Sequence, residues 1–155
     1  MNRKFGFILV KPQLGENIGA SARSLKNYGF SKLILVKPRD GCPNIKSKVT
    51  SVGAYEILKK AKVFDDIPKA ISSFELVFSF TARKRDTNKK HITLNQFLNL
   101  IKNKKNNKIG LMFGPEASGL SNEEVSYSNY TVQIPTQKKF TSINLSHSVI
   151  LVSYE

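Results

Sequence analysis

A chain of 155 residues with 25 Lys and Arg against 11 Asp and Glu carries a formal charge of +14. That length suits one domain with its own apolar core, and a hydrophobic content of 40% excludes a disordered polyelectrolyte. The single cysteine, Cys42, excludes an internal disulfide framework, and with only His91 and His147 beside it no metal site is expected.

Phe5–Val10 is a short apolar run bounded by Pro12 and Gly15, which predicts a buried strand. It is far too short to span a bilayer, and no small-residue cleavage site follows Arg3 and Lys4, so no membrane association is expected. A soluble protein of a reducing, cytoplasmic compartment is the expectation. Asn17–Tyr28 reads as a helix, with Ile18, Ala22 and Leu25 on one face and Gly29 past its end. Leu33–Val36 is the next strand, and Pro38 to Pro43 a loop. Ser47–Lys62 is mostly helical with a break at Gly53, followed by a short strand Lys62–Phe64 and a short helix Ile67–Ser73. Leu76–Phe80 is a strand, Arg83–Lys90 a basic loop, and Thr93 caps a helix running to about Ile101. Ile109–Phe113 is an apolar strand ending at Gly114-Pro115. Ser121 and Glu124 form a capping box at the start of a short helix. A last strand, Thr131–Ile134, stops at Pro135. Ile143–Tyr154 has helical spacing and is apolar on more than one side, as in a buried or interface helix. Strands alternating with helices, several of the strands apolar throughout, predict an α/β domain with a mostly parallel sheet flanked by helices. One domain, 1–155, is expected.

The charge points to a polyanionic partner, because phosphate contacts release condensed counterions. Twenty of the 25 basic residues are Lys and 13 residues are Asn, so composition alone accounts for part of the excess. Arg83, Lys84, Arg85, Lys89 and Lys90 cluster, whereas Lys102, Lys104, Lys105 and Lys108 with their asparagines read as a solvated loop. Familiar chemistry is missing. There is no G-x-G-x-x-G, no P-loop and no G-x-S-x-G elbow. Ser142 and His147 lack an orienting acid, and Glu123-Glu124 is explained by capping.

Three segments stand out. In Asn17-Ile18-Gly19-Ala20-Ser21-Ala22-Arg23, Gly19 lies one turn before Arg23 and would let a ligand approach the backbone, while the Arg can fork onto a phosphate. Read plainly, the same segment is an Asn cap, a tolerated Gly and a surface Arg. In Phe113-Gly114-Pro115-Glu116-Ala117-Ser118-Gly119-Leu120-Ser121, two glycines and a proline shape a loop at a strand's carboxyl end, where open α/β sheets bind ligands. From Ile134-Pro135-Thr136 through Phe140-Thr141-Ser142-Ile143-Asn144-Leu145-Ser146, a second such connection places Ser142 and Asn144 near a helix start, where they also suit capping.

The order and spacing of these segments, with Thr81-Ala82-Arg83 between them, resemble the SpoU/TrmH class of SPOUT RNA ribose methyltransferases, and within it the branch that methylates tRNA. The resemblance spans Phe5 to Glu155. It implies a C-terminal deep trefoil knot, which the usual topology rules would not suggest. It implies S-adenosylmethionine as cofactor, held by Phe80, Thr81, Ala82, Gly114, Ile134, Thr141, Ser142, Ile143 and Leu145. Arg23, Asn17, Ser142, Asn144 and Glu116 match its catalytic motifs, with no metal. It also implies a homodimer through the C-terminal helix, tRNA as partner, and the anticodon-loop pyrimidine at tRNA position 32 as target. Ribosomal RNA or another tRNA site stays open as substrate, as does a non-catalytic RNA-binding module. Two departures stand out. Pro115 replaces an Arg common in the family, and the chain stops at Glu155 inside the predicted helix, either as a minimal version or without the extension of its relatives.

Overall fold

The computed structural model describes residues 4–82, 88–104 and 107–155. Arg83, Lys84 and Arg85 of the basic cluster, and Lys105 of the second, lie outside the described residues.

The chain forms β1 (Phe5–Val10), α1 (Gly15–Asn27), β2 (Leu33–Val36), α2 (Ile45–Ser51), a single 3₁₀ turn (Val52–Ala54), α3 (Tyr55–Lys60), β3 (Lys62–Phe64) and α4 (Ile67–Ile71). It continues through β4 (Leu76–Phe80), β5 (Lys90–Thr93), α5 (Leu94–Lys102), β6 (Ile109–Phe113), α6 (Asn122–Ser126), β7 (Tyr130–Gln133) and α7 (Leu145–Tyr154). The seven strands make one sheet in the order β3-β2-β1-β6-β4-β7-β5, and every pairing is parallel. The α/β architecture predicted from the apolar runs is therefore present. Each face needs a cover of helices, because a parallel sheet has no side it can leave to water. Alternate residues of β1 serve the two faces. Phe7 and Leu9 join a cluster with Ile18, Leu25 and Val149, while Ile8 and Val10 join one with Ile67 and Val125. Thus α1, α3, α5 and α7 cover one face, and α4 and α6 the other.

Four local expectations need correction. Helix α1 starts at Gly15, not Asn17, so Asn17 lies inside the first turn and is not the cap. Helix α2 starts at Ile45 on a capping box between Asn44 and Ser47, two residues before the expected Ser47. Lys90 belongs to strand β5, not to a loop, because it pairs with Tyr130 at the sheet edge.

Gly19 carries the fourth correction. It does not open the backbone to a ligand. A side chain there would collide with the Thr50 hydroxyl and the Ser47 carbonyl, so the missing Cβ lets α1 and α2 touch. Thr50 bridges the same contact by donating to the Glu16 carbonyl at 3.0 Å. Gly19→Ala should therefore destabilise the fold by about 1–3 kcal/mol, as overpacking does, despite the higher helix propensity of Ala. Thermal denaturation checks this; an unchanged or higher melting temperature would show that the two helices part freely.

Candidate active site

Strands β6, β4 and β7 are neighbours, so their carboxyl ends emerge side by side. Phe80 is in register with Phe113 on one side and with Val132 on the other. The rings of Phe80 and Phe113 stack with centroids 4.9 Å apart and planes 8° from parallel, forming an apolar floor. Above this floor lies a cavity of about 370 Å³. It is walled by three connections: the residues after β4, the β6–α6 loop and the β7–α7 loop. Phe80, Thr81, Ala82, Gly114, Ile134, Thr141, Ser142, Ile143 and Leu145 all line it. The sequence reading missed that Pro115, Ala117, Ser118 and Leu120 line it too, although the glycine-rich loop pointed to them.

The β6–α6 loop folds back on its own strand. A Cβ on Gly114 would collide with the backbone of Gly119 and Leu120, so only glycine permits this closure. Gly119, with φ +66°, turns the chain, and its amide donates to the Pro115 carbonyl at 2.9 Å. Helix α6 then starts on the expected box. The Ser121 hydroxyl accepts from the Glu124 amide at 3.1 Å, and the Glu124 carboxylate accepts from the Ser121 amide at 2.8 Å.

Beside the cavity, the three singled-out segments meet through one hydrogen-bonded chain. Glu116 reaches across to α1. Its carboxylate accepts from the amides of Gln13 at 2.8 Å and Leu14 at 3.2 Å, and from the Asn17 side chain at 3.1 Å. Leu14, the N-cap residue, has no side-chain acceptor to offer. Glu116 therefore supplies from a distant loop the cap that α1 lacks locally. The other end of the Asn17 amide accepts from the Asn144 side chain at 3.0 Å. The Asn144 oxygen caps α7, accepting from the Ser146 amide and hydroxyl at 2.9 and 2.7 Å and from the His147 amide at 3.3 Å. One buried asparagine thus ties the β6–α6 loop to the β7–α7 loop.

This network fixes what Glu116 can do. Partial burial favours its neutral form, but the Gln13 amide, the Asn17 side chain and the Leu14 amide together hold its pKa below the usual carboxylate value. A carboxylate so engaged is a poor base. Through these bonds Glu116 braces the β6–α6 loop against the start of α1.

Four of the five predicted catalytic residues therefore meet at or beside the cavity. Ser142 and Glu116 line the cavity, and Glu116 also joins Asn17 and Asn144 in the adjoining network. Arg23 is elsewhere. It sits six residues beyond Asn17, about 9 Å along the helix axis, exposed and outside the cavity lining. Among the described residues it makes no hydrogen bond or ion pair, which leaves its guanidinium open to an anion from outside.

The cavity wall suits an amphipathic molecule of nucleoside size. Phe80, Phe113, Leu120, Ile134, Ile143 and Leu145 supply apolar surface. Among the described residues the amides of Gly114, Thr141, Ser142 and Ile143 make no hydrogen bond, which leaves four main-chain donors on residues that line the cavity. Among the described residues there is no group of three His, Cys, Asp or Glu that could hold a metal ion, and no helix long and apolar enough to cross a membrane.

The fold recurs in known proteins. The chain is 39% identical to the crystal structure of TrmJ from Z. mobilis ZM4, with a TM-score of 0.91, over 96% of this chain and 66% of that one. It is 37% identical over 151 residues to tRNA (cytidine-2'-O-)-methyltransferase TrmJ of Methanocaldococcus jannaschii, covering 96% of this chain and 65% of that protein. It is 34% identical to tRNA (cytidine/uridine/adenosine-2'-O-)-methyltransferase TrmJ of Pseudomonas aeruginosa, covering 96% of this chain and 58% of that protein. The chain thus spans about three fifths of the length of these two relatives. The SpoU rRNA Methylase family pattern matches residues 4–154, and the chain belongs to that family.

Proposed function

We propose that this chain is the catalytic domain of a tRNA 2'-O-methyltransferase that uses S-adenosylmethionine. The observation that carries the reading is the convergence of all nine cofactor positions implied by the family resemblance on one cavity. The names of the relatives from M. jannaschii and P. aeruginosa support tRNA as the substrate class. An anticodon-loop pyrimidine is the proposed target. The family also supports a C-terminal trefoil knot. The exposed Leu151 and Tyr154 on α7, with Tyr28 against Tyr154, support a homodimer through that helix. A tRNA substrate supports a cytoplasmic location.

When bound, S-adenosylmethionine supplies an electrophilic methyl group on a sulfonium. The apolar floor of Phe80 and Phe113 and the amides of Gly114 and Thr141 to Ile143 would hold it and keep water away. Ser142, on the cavity wall, orients the ribose hydroxyl by hydrogen bonding. Asn17, Glu116 and Asn144 lock the two loops at a fixed separation, which in-line transfer requires. Arg23, exposed on α1 outside the cavity lining, grips an RNA phosphate and so sets the ribose in place. Arginine keeps its proton, so a phosphate oxygen or water takes the hydroxyl proton.

Incubation of unmodified tRNA and ribosomal RNA with the protein and cofactor, followed by ribose-methylation mapping, tests this. A mark confined to a tRNA anticodon loop is expected. A mark only on ribosomal RNA overturns the substrate. RNA binding without cofactor binding in calorimetry overturns the enzyme reading.

A further inference from the structure

The chain has ten phenylalanines. Nine of them are buried in the two core clusters or packed against them. Phe140 alone is laid open, with 75% of its surface exposed. It sits in the β7–α7 loop, one residue before Thr141 and two before Ser142 on the cavity wall. Its ring meets no other aromatic ring among the described residues.

The loop is built to hold it there. Gln137 and Phe140 form an antiparallel bridge, and the Phe140 amide donates to the Gln137 carbonyl at 3.0 Å. The Gln137 side chain accepts from the amides of Lys139 at 2.6 Å and Phe140 at 3.1 Å. A turn clasped by one side chain presents the aromatic outward in a fixed place. Lys138 and Lys139, both exposed, directly precede it, and neither forms an ion pair among the described residues.

A fixed aromatic face beside unpaired cations is the chemistry that recognises a single-stranded nucleic acid. The ring stacks on a base, and the ammonium groups meet the phosphates on either side of it. We propose that Phe140 is the platform on which a base at or next to the target nucleotide stacks, bringing the ribose to the cavity mouth. The platform deepens the proposed methyltransferase reading and rests on it. Stacking on a π face tolerates any base, so the platform positions the nucleotide without choosing its identity.

The test uses the full chain with unmodified tRNA. Phe140→Ala lowers kcat/KM for tRNA by about ten- to a hundredfold, the worth of one stacked base. S-adenosylmethionine affinity and melting temperature stay within error of the parent. Phe140→Tyr and Phe140→Trp restore activity, whereas Phe140→Leu, which keeps the apolar bulk without the π face, does not. Anisotropy of a fluorescent single-stranded RNA reads the platform even where no methyl is transferred. Loss of RNA affinity in Phe140→Ala supports the platform while an inactive parent removes the enzyme reading. An active parent matched by Phe140→Ala overturns the platform alone. Rescue by Leu, or a change in sedimentation on Phe140→Ala, overturns it in favour of a contact with another protein chain.

Discussion

Arg23→Ala should cut methyl transfer to tRNA by about a hundredfold while leaving S-adenosylmethionine binding unchanged, because a ribose misplaced by even an ångström loses about that much. The separation follows from where Arg23 stands. It lies outside the cavity lining and among the described residues belongs to no hydrogen-bonded cluster, so removing it disturbs neither the floor nor the Asn17 network. Its exposed position on α1 also makes the variant nearly neutral for folding. The loss therefore appears in kcat or in KM for RNA, and not in the melting temperature. Arg23→Lys should recover little, because an ammonium cannot fork onto a phosphate. Turnover near the parent value in Arg23→Ala would remove the residue from the mechanism. Equal losses of turnover and cofactor affinity would place it against the cofactor instead.

What was legible in the sequence was local. Six of the seven strands among the described residues were legible, and β1, β2 and β6 most plainly, since a strand buried on both faces leaves an unbroken apolar pattern. The caps at Thr93 and Ser121 were legible because a capping box closes within four residues. Strand β5 was hidden because it offers one buried apolar residue, Ile92, in a polar segment at the sheet edge. Gly19 was misread because its partner, α2, lies far along the chain, and nothing in the spacing around Gly19 distinguishes helix contact from ligand contact. Glu116 was singled out as a motif residue, but its work as the cap of α1 spans about a hundred residues. The cavity residues came through family resemblance, which carries three-dimensional information that periodicity does not. The resemblance could not say which motif residues meet the cavity and which only brace it.

Asn17→Asp should destabilise the domain by about 2–4 kcal/mol at neutral pH, and the deficit should shrink as the pH falls. Asn17 is 6% exposed, and its amide is used at both ends. The nitrogen donates to Glu116, and the oxygen accepts from Asn144. The substitution keeps the second contact and replaces the first by two carboxylates in direct apposition. Asn17→Ala loses both contacts but adds no charge, so its penalty of about 1–3 kcal/mol should vary little with pH. The sign of the pH effect comes from both carboxyls. In the parent, the Glu116 pKa is held low in the folded state, so its contribution is present above the unfolded value and lost as pH falls through the folded one. In Asn17→Asp the shared site raises one folded pKa, so protons bind the folded state more readily than the unfolded chain. The stability gap to the parent then closes as pH drops through that raised value towards about 4. Melting curves of the three proteins between neutral and mildly acid pH read this directly. A gap independent of pH in Asn17→Asp would mean that Glu116 turns away from Asn17 in solution. The brace between the glycine-rich loop and the β7–α7 loop would then have to be sought elsewhere.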